Sequence, residues 1–362
     1  MKNLKLTKLL AGTLLIVSVS ALNPIAANAE WKQNNVGWWY TEGNSWAMGF
    51  RVIDGNLYYF ASKGYMMNNA SNMFFDKEYG LTSSGEFTNV TINGDWAFCK
   101  QNGKIVAYLG SESSINIPDK IDNITVTGIG AYAFSSHKIT NITLPSTISA
   151  IGVCAFSSCM NLTDIIIPDN VKIISDHAFI NCRNLKNVTI PGGVIKMGNS
   201  IFADCYNLTN VTIGNGVTFL GHDTFSGCFK LENITLPNSL KTIGETTFQG
   251  CKSLKNITIP SGVTIIGRNA FNYCTNLTSL ALPDGLTEIG MGAFKDCTSL
   301  TSITIPNSVQ KIENHRNGPS NAIIEASPFE DCNNLKIYVK NDTIKQLLVN
   351  SGINANQIIV AA

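Results

Sequence analysis

The chain has 362 residues, room for two or three ordinary domains or for one long repeat array. Charged residues make up 14%, well below the usual quarter, and 26 basic side chains nearly balance 25 acidic ones. No run of basic residues of the kind a nucleic acid requires stands out, and the wealth of Asn, Thr, Ser and Gly predicts a β-rich surface solvated by neutral groups.

Residues 1–29 read as a secretory signal: Lys2, Lys5 and Lys8 lead, Leu9 to Val19 is apolar, and Ala27-Asn28-Ala29 fits a small-x-small cleavage pattern. The apolar run is shorter than the ~20 residues a membrane span needs. Processing there removes three lysines and leaves 23 basic against 25 acidic residues, a net charge of −2.

Residues 30–69 are aromatic. Trp31, Trp38, Trp39 and Trp46 are four of the five tryptophans. Trp31-x6-Trp38-Trp39-Tyr40 recurs 19 residues later as Phe50-x6-Leu57-Tyr58-Tyr59. The segment "GFRVIDGNLYYFASKGYM" resembles the cell-wall-binding, or choline-binding, repeat, although Phe50 and Leu57 stand where that pattern carries Trp. The resemblance implies β-hairpins whose rings cage a quaternary ammonium or stack on a wall sugar, each cation over a ring gaining about 0.5–2 kcal/mol. The implied ligand-binding residues are Trp31, Trp38, Trp39, Tyr40, Trp46, Phe50, Tyr58 and Tyr59. Residues 70–95 are expected to be a linker or a degenerate repeat.

From 96 to 340 the sequence predicts a solenoid. Its cap is a hairpin over 96–110, turning at Asn102-Gly103. Phe156, Phe179, Phe202, Phe225, Phe248, Phe271 and Phe294 recur every 23 residues, as do Cys159, Cys182, Cys205, Cys228, Cys251, Cys274 and Cys297. Such a period means stacked supersecondary units. In "LKNITIPSGVTIIGRNAFNYC", Leu254, Ile257 and Ile259 point into a coil from a short strand. Pro260 fixes φ, Gly262 tolerates positive φ, Gly267 allows another bend, and Phe271 and Cys274 fill the far side. Each turn buries its apolar face against its neighbours. The pattern IP…V…IG..AF..C..L resembles the BspA-like, or Treponema pallidum-type, bacterial leucine-rich repeats, so the expected fold class is a mainly β leucine-rich-repeat solenoid of about nine 23-residue turns behind a small β-hairpin module. Residues 313–324 interrupt the period before Phe329 and Cys332 resume it, and 341–362 form a C-terminal cap with a helix over 342–352.

Eight cysteines share one repeat position and so point alike, which predicts a column of free thiols rather than disulfides. Cys99 and Cys154 lie off that column. Without paired C-x-x-C spacing, and with four scattered histidines, no metal site is expected. Asn187/Thr189, Asn210/Thr212, Asn233/Thr235 and Asn256/Thr258 belong to outward positions of the strands and predict polar rows on a concave sheet. No catalytic motif stands out, so no enzyme activity, catalytic residue or cofactor is expected. An active centre would have to lie in the insert near His315 and Arg316.

One row departs from this neutrality. The position after the ladder cysteine reads Met160, Arg183, Tyr206, Phe229 and Lys252, residue types enriched in protein contacts. The sequence thus suggests a secreted protein of a Gram-positive cell surface, held to a wall polymer through its aromatic repeats and binding a protein partner through the solenoid. The resemblance implies adhesion or host interaction; an envelope scaffold acting on the cell's own wall components is the alternative.

Overall fold

The computed structural model describes residues 29–68, 80–317 and 323–361. The signal segment up to residue 28, and residues 69–79 of the proposed degenerate repeat, lie outside the described residues.

The coil is a β-solenoid of about 11 turns, longer than its phenylalanine count suggests because strands at both ends lack the full repeat sequence. Each turn contributes a strand at the Asn-x-Thr position, such as Asn187–Ile190, which pairs in parallel with Asn210–Ile213 one turn later. A second ladder of two-residue strands, among them Ile173–Ile174 and Lys196–Met197, follows each turn's bend. The alternation of exposed Asn and Thr with buried Val and Ile fixes the register, since a one-residue slip would turn the apolar set to solvent.

Inside, eight phenylalanines from Phe134 to Phe294 and then Phe329 stack as one column, with centroids 5.1 to 5.7 Å apart and ring planes within 4 to 19°. The strand spacing of about 4.8 Å sets that distance, which suits offset stacking. Tyr108 stacks on Phe134, and Trp96 packs on Tyr108 at an interplanar angle of 48°, so the capping hairpin completes the aromatic column. Beside it runs the thiol column. Each sulfur from Cys159 to Cys297 donates to the carbonyl of the preceding turn's phenylalanine at 3.0 to 3.3 Å, and Cys332 does the same to Phe294. Cysteine suits the position because it is a small hydrophobe with a weak donor. All ten cysteines are free, including Cys99 and Cys154.

The glycines act differently from the sequence expectation. Neither Gly262 nor Gly267 takes a positive φ. Gly267 is needed for close approach: a Cβ there would lie 2.8 Å from the backbone of Gly244 and Glu245. The left-handed residues fall instead in two other columns. One contains Cys154, His177, Ser200, Asp223, Thr246 and Asn269; the other contains Ser158, Asn181, Asp204, Gly227, Gly250 and Tyr273.

At the N-terminal end three short turns repeat one geometry. Ala47 N donates to Tyr40 O, Met67 N to Tyr59 O, and Thr88 N to Gly80 O. Gly64 and Gly85, at φ +80 and +86, sit directly under the side chains of Trp46 and Met66 from the preceding turns. Residues 80–88 therefore repeat the turn of the aromatic module. Val90–Asn93, Trp96–Cys99 and Lys104–Tyr108 follow as an antiparallel meander, and its last strand pairs in parallel with Gly128–Ile129 to open the second ladder.

The far end is closed by the helix Asp342–Asn350, which buries Ile344 and Leu348 and is capped where Asn341 Oδ1 accepts from Ile344 N at 2.9 Å. Ile358–Val360 adds a final parallel strand beside Lys336–Val339. The insert leaves the coil as two antiparallel strands, His315–Asn317 and Ile323–Glu325.

Candidate ligand-binding surfaces

The eight aromatic residues of the N-terminal module do not converge on one cage. Trp31 contacts Trp38, Tyr40, Tyr58 and Phe60, with centroid distances of 6.4, 5.2, 5.1 and 5.8 Å. Tyr58 and Phe60 are buried with Ala47 and Ile53, so this group is a local core. Phe50 packs on Tyr59 at 4.9 Å and on Phe87 at 5.6 Å, and Tyr59 reaches Tyr132 of the solenoid at 5.2 Å. Leu57 is buried in the same second cluster, together with Leu81, Phe87, Ala97 and Ala131. Phe50 and Leu57 thus join the hairpins to the coil. The rings facing solvent are Trp38, 42% exposed, and Trp46, 53% exposed, while Trp39 stands half-buried against Tyr65.

Along the solenoid the post-cysteine row does converge. Arg183 lies over the ring of Tyr206 at 5.0 Å, Tyr206 stacks on Phe229 at 5.0 Å, and the Lys252 ammonium lies 5.4 Å from the centre of Phe229. Four side chains from four successive turns form one ridge, closed at each end by a cation. Arg183 is further held by Asn181 Oδ1, which accepts from Nε at 2.6 Å. Met160, one turn before, is 43% exposed. The 23-residue period places these residues in register; it could not reveal that their side chains would lie flat on one another.

On the strands that follow the ridge position in each turn, the Asn rows are hydrogen-bonded chains. Asn233 Nδ2 donates to Asn210 Oδ1 at 2.9 Å, Asn210 Nδ2 to Asn187 Oδ1 at 2.8 Å, and Asn187 Nδ2 to Asp164 Oδ1 at 3.4 Å. Near its C-terminal end this polar face opens into a trough of about 740 Å³ whose lining includes Ser279, Asp284, Thr304, Tyr338 and Lys340. Sequence reasoning missed this trough, since the break in the Thr row at Ala281 is a small change in one residue. On the second ladder, Ile173, Ile195 and Phe219 are exposed beside Lys172, Lys196 and Lys241. Farther along it, Glu313 accepts from both Arg268 and Lys311, at 2.8 and 2.7 Å.

The buried thiols offer no chemistry. Burial pushes the Cys182 thiol up to about 12 and that of Cys332 to about 11, so the thiolate that reacts or binds metal does not form near neutrality. No group of three or more His, Cys, Asp or Glu that could hold a metal ion occurs among the described residues. Nor is any described helix long and apolar enough to cross a membrane.

A model of the BspA type leucine-rich repeat region matches residues 108–231 and 218–317 in six copies, more than half of the chain. The chain belongs to the BspA-type leucine-rich-repeat family. That membership is consistent with a protein-binding, cell-surface role. Among solved structures, the BspA-type chain is similar to the leucine-rich repeat protein TpLRR of T. pallidum, with 28% identity, 63% of this chain and 89% of that one covered, and a TM-score of 0.42. A leucine-rich repeat protein from Eubacterium ventriosum is 22% identical over 64% of this chain and 54% of its own, with a TM-score of 0.46. The pneumococcal vaccine antigen PcpA is 20% identical over 87% of this chain and 100% of its own, with a TM-score of 0.38. None of the curated proteins matches the chain.

Proposed function

We propose that this protein is a secreted, cell-surface binding protein whose solenoid presents the Arg183–Tyr206–Phe229–Lys252 ridge to a protein partner in adhesion or host interaction. The single observation that carries this is the continuous stack of two rings and two cations across four turns. Aromatic and Arg side chains dominate protein contact energetics, and a rigid stack loses little further side-chain entropy on binding. The fold gives no reason for the stack. Other turns carry Thr275 and Thr298 there and keep the same period.

Attachment to a Gram-positive wall is assigned to the N-terminal hairpins. The exposed Trp38 and Trp46 supply flat rings of the type that stack on a sugar or cover a quaternary ammonium. Two or three such repeats give modest avidity.

Envelope scaffolding is the second reading, and the Ser- and Thr-lined trough beside Tyr338 favours it, since a neutral hydroxyl-rich polymer suits that lining.

The test immobilises the full chain and challenges it separately with host surface proteins, including extracellular-matrix proteins, and with isolated Gram-positive cell walls. The proposal expects host-protein retention that falls in Tyr206→Ala/Phe229→Ala, and wall retention that falls in Trp38→Ala/Trp46→Ala. Wall retention alone, unaffected by the ridge variant, replaces the adhesin role with the scaffold.

A further inference from the structure

We propose that the ridge takes an extended acidic segment of the protein partner, with two carboxylates about four residues apart. This deepens the protein-binding role proposed above and rests on it.

The ridge lies on a locally basic edge. The chain as a whole is close to neutral, with 26 basic and 25 acidic residues. In the segments around the ridge residues, 181–187, 204–210, 227–233 and 250–256, the charged side chains are Arg183, Lys186, Lys230, Lys252 and Lys255 against Asp204 and Glu232. The salt bridges among the described residues lie elsewhere, on Lys32, Arg51, Lys100, Arg268, Lys295 and Lys311. A ring face orients a cation without neutralising it, so Arg183 and Lys252 keep their full charge at fixed positions.

The two cations are three turns apart, about 14 Å at the ~4.8 Å strand spacing. An extended peptide rises about 3.3 Å per residue, so carboxylates at i and i+4 span that distance. An even separation also sets both on one side of the strand, because side chains alternate with period two. Between them, the residue at i+2 meets the ring edges of Tyr206 and Phe229 and should be apolar.

Gly227 and Gly250 occupy the left-handed position that is Asn181, Asp204 or Tyr273 in other turns. Gly250 leaves the flank of the ridge open beside Phe229, where the nearest atom to a Cβ would be Phe229 Cε1 at 3.5 Å, whereas at Gly227 a Cβ would lie 2.6 Å from Asp204 Oδ1. The ridge stops where the charge stops, since Thr275 follows Lys252.

The test measures binding of the full chain to three capped nonapeptides with Val at odd and Thr at even positions, save for these substitutions: one with Glu at positions 3 and 7, one with Glu at 3 and 5, and one with Gln at 3 and 7. Two exposed charge pairs give the 3/7 peptide an advantage of about tenfold over the Gln peptide, and of about threefold over the 3/5 peptide, which keeps one pair. Arg183→Gln/Lys252→Gln should abolish the advantage, and 0.5 M salt should shrink it. Equal affinity for all three peptides, or binding of none, overturns the proposal. The retention assay is then repeated with the charge variant. Host-protein retention kept in Arg183→Gln/Lys252→Gln but lost in Tyr206→Ala/Phe229→Ala sinks the acidic partner and leaves the protein-binding role standing. Retention unchanged in both variants sinks both.

Discussion

The thiol of Cys228 donates to the carbonyl of Phe202, 3.2 Å away on the preceding turn. The same carbonyl also accepts from Cys205 N at 3.2 Å within its own turn. One small side chain thus fills the space beside the phenylalanine column and links consecutive turns, eight times over.

Cys228→Ala should cost roughly 1–2 kcal/mol, for the lost sulfur contacts and the weak donor together. A shift in the urea midpoint measures this. No shift would mean that the coil closes over the gap and that the thiol bond contributes nothing.

Native-state alkylation should spare the whole column. Burial raises every column thiol, and deprotonation near neutrality is negligible. Mass spectrometry after maleimide treatment at pH 7.5 should find Cys154, only half-buried, as the first site labelled, with the column reacting after unfolding. Rapid labelling of Cys205 or Cys251 in the folded protein would contradict the packing described.

Thr246 holds φ +53, a left-handed conformation that a β-branched residue adopts at a cost of about 1–2 kcal/mol. Asn269 occupies the same position one turn later and tolerates it. Thr246→Asn should therefore raise the melting temperature, stabilising by about 0.5–1 kcal/mol after loss of the Thr246 hydroxyl bond to Asp223. A lowered melting temperature would show that the hydroxyl outweighs the backbone strain.

Gly64 lies under Trp46, and a Cβ there would fall 2.2 Å from Trp46 Cδ1 at a φ of +80. Gly64→Ala must displace the indole. Loosening of the first hairpin should appear as a red-shifted tryptophan emission and faster proteolysis before residue 68, while the solenoid melts unchanged.

Acid should weaken the far half of the second ladder. Burial pushes the Glu313 carboxyl up, but hydrogen bonds from Lys311 and Arg268 outweigh it and hold the group below its ordinary value. A carboxyl depressed on folding stabilises fully above its unfolded value, about 4.3, and loses that contribution as pH falls through the folded one. Urea midpoints between pH 6 and pH 3 should fall more steeply for the native protein than for Glu313→Gln. Parallel curves would remove Glu313 from the acid transition.

Much of the coil was legible in the residues. The 23-residue recurrence of Phe and Cys, and the Asn-x-Thr alternation, predicted stacked turns and an inward column because side-chain direction follows period. The glycines were harder. Gly267 and Gly64 look alike in sequence, yet one makes room for a neighbouring backbone and the other lies under an indole at positive φ. Nothing local separates these causes, since both depend on the turn before.

The candidate surfaces divide the same way. The sequence marked Arg183, Tyr206, Phe229 and Lys252 as one row but left them as four separate side chains. It also grouped eight N-terminal aromatics by resemblance, and packing then sorted them: Tyr58 into a local core, Phe50 and Tyr59 toward the solenoid, Trp38 and Trp46 to solvent.

By itself, then, the sequence determined the repeat, its register and its buried columns, because periodicity dictates which residues share a face. Only the tertiary structure decided which aromatics are core and which are surface, and that a row of surface side chains closes into a cation-capped stack. Those outcomes depend on contacts between turns, where the neighbour one strand spacing away decides what each ring can touch.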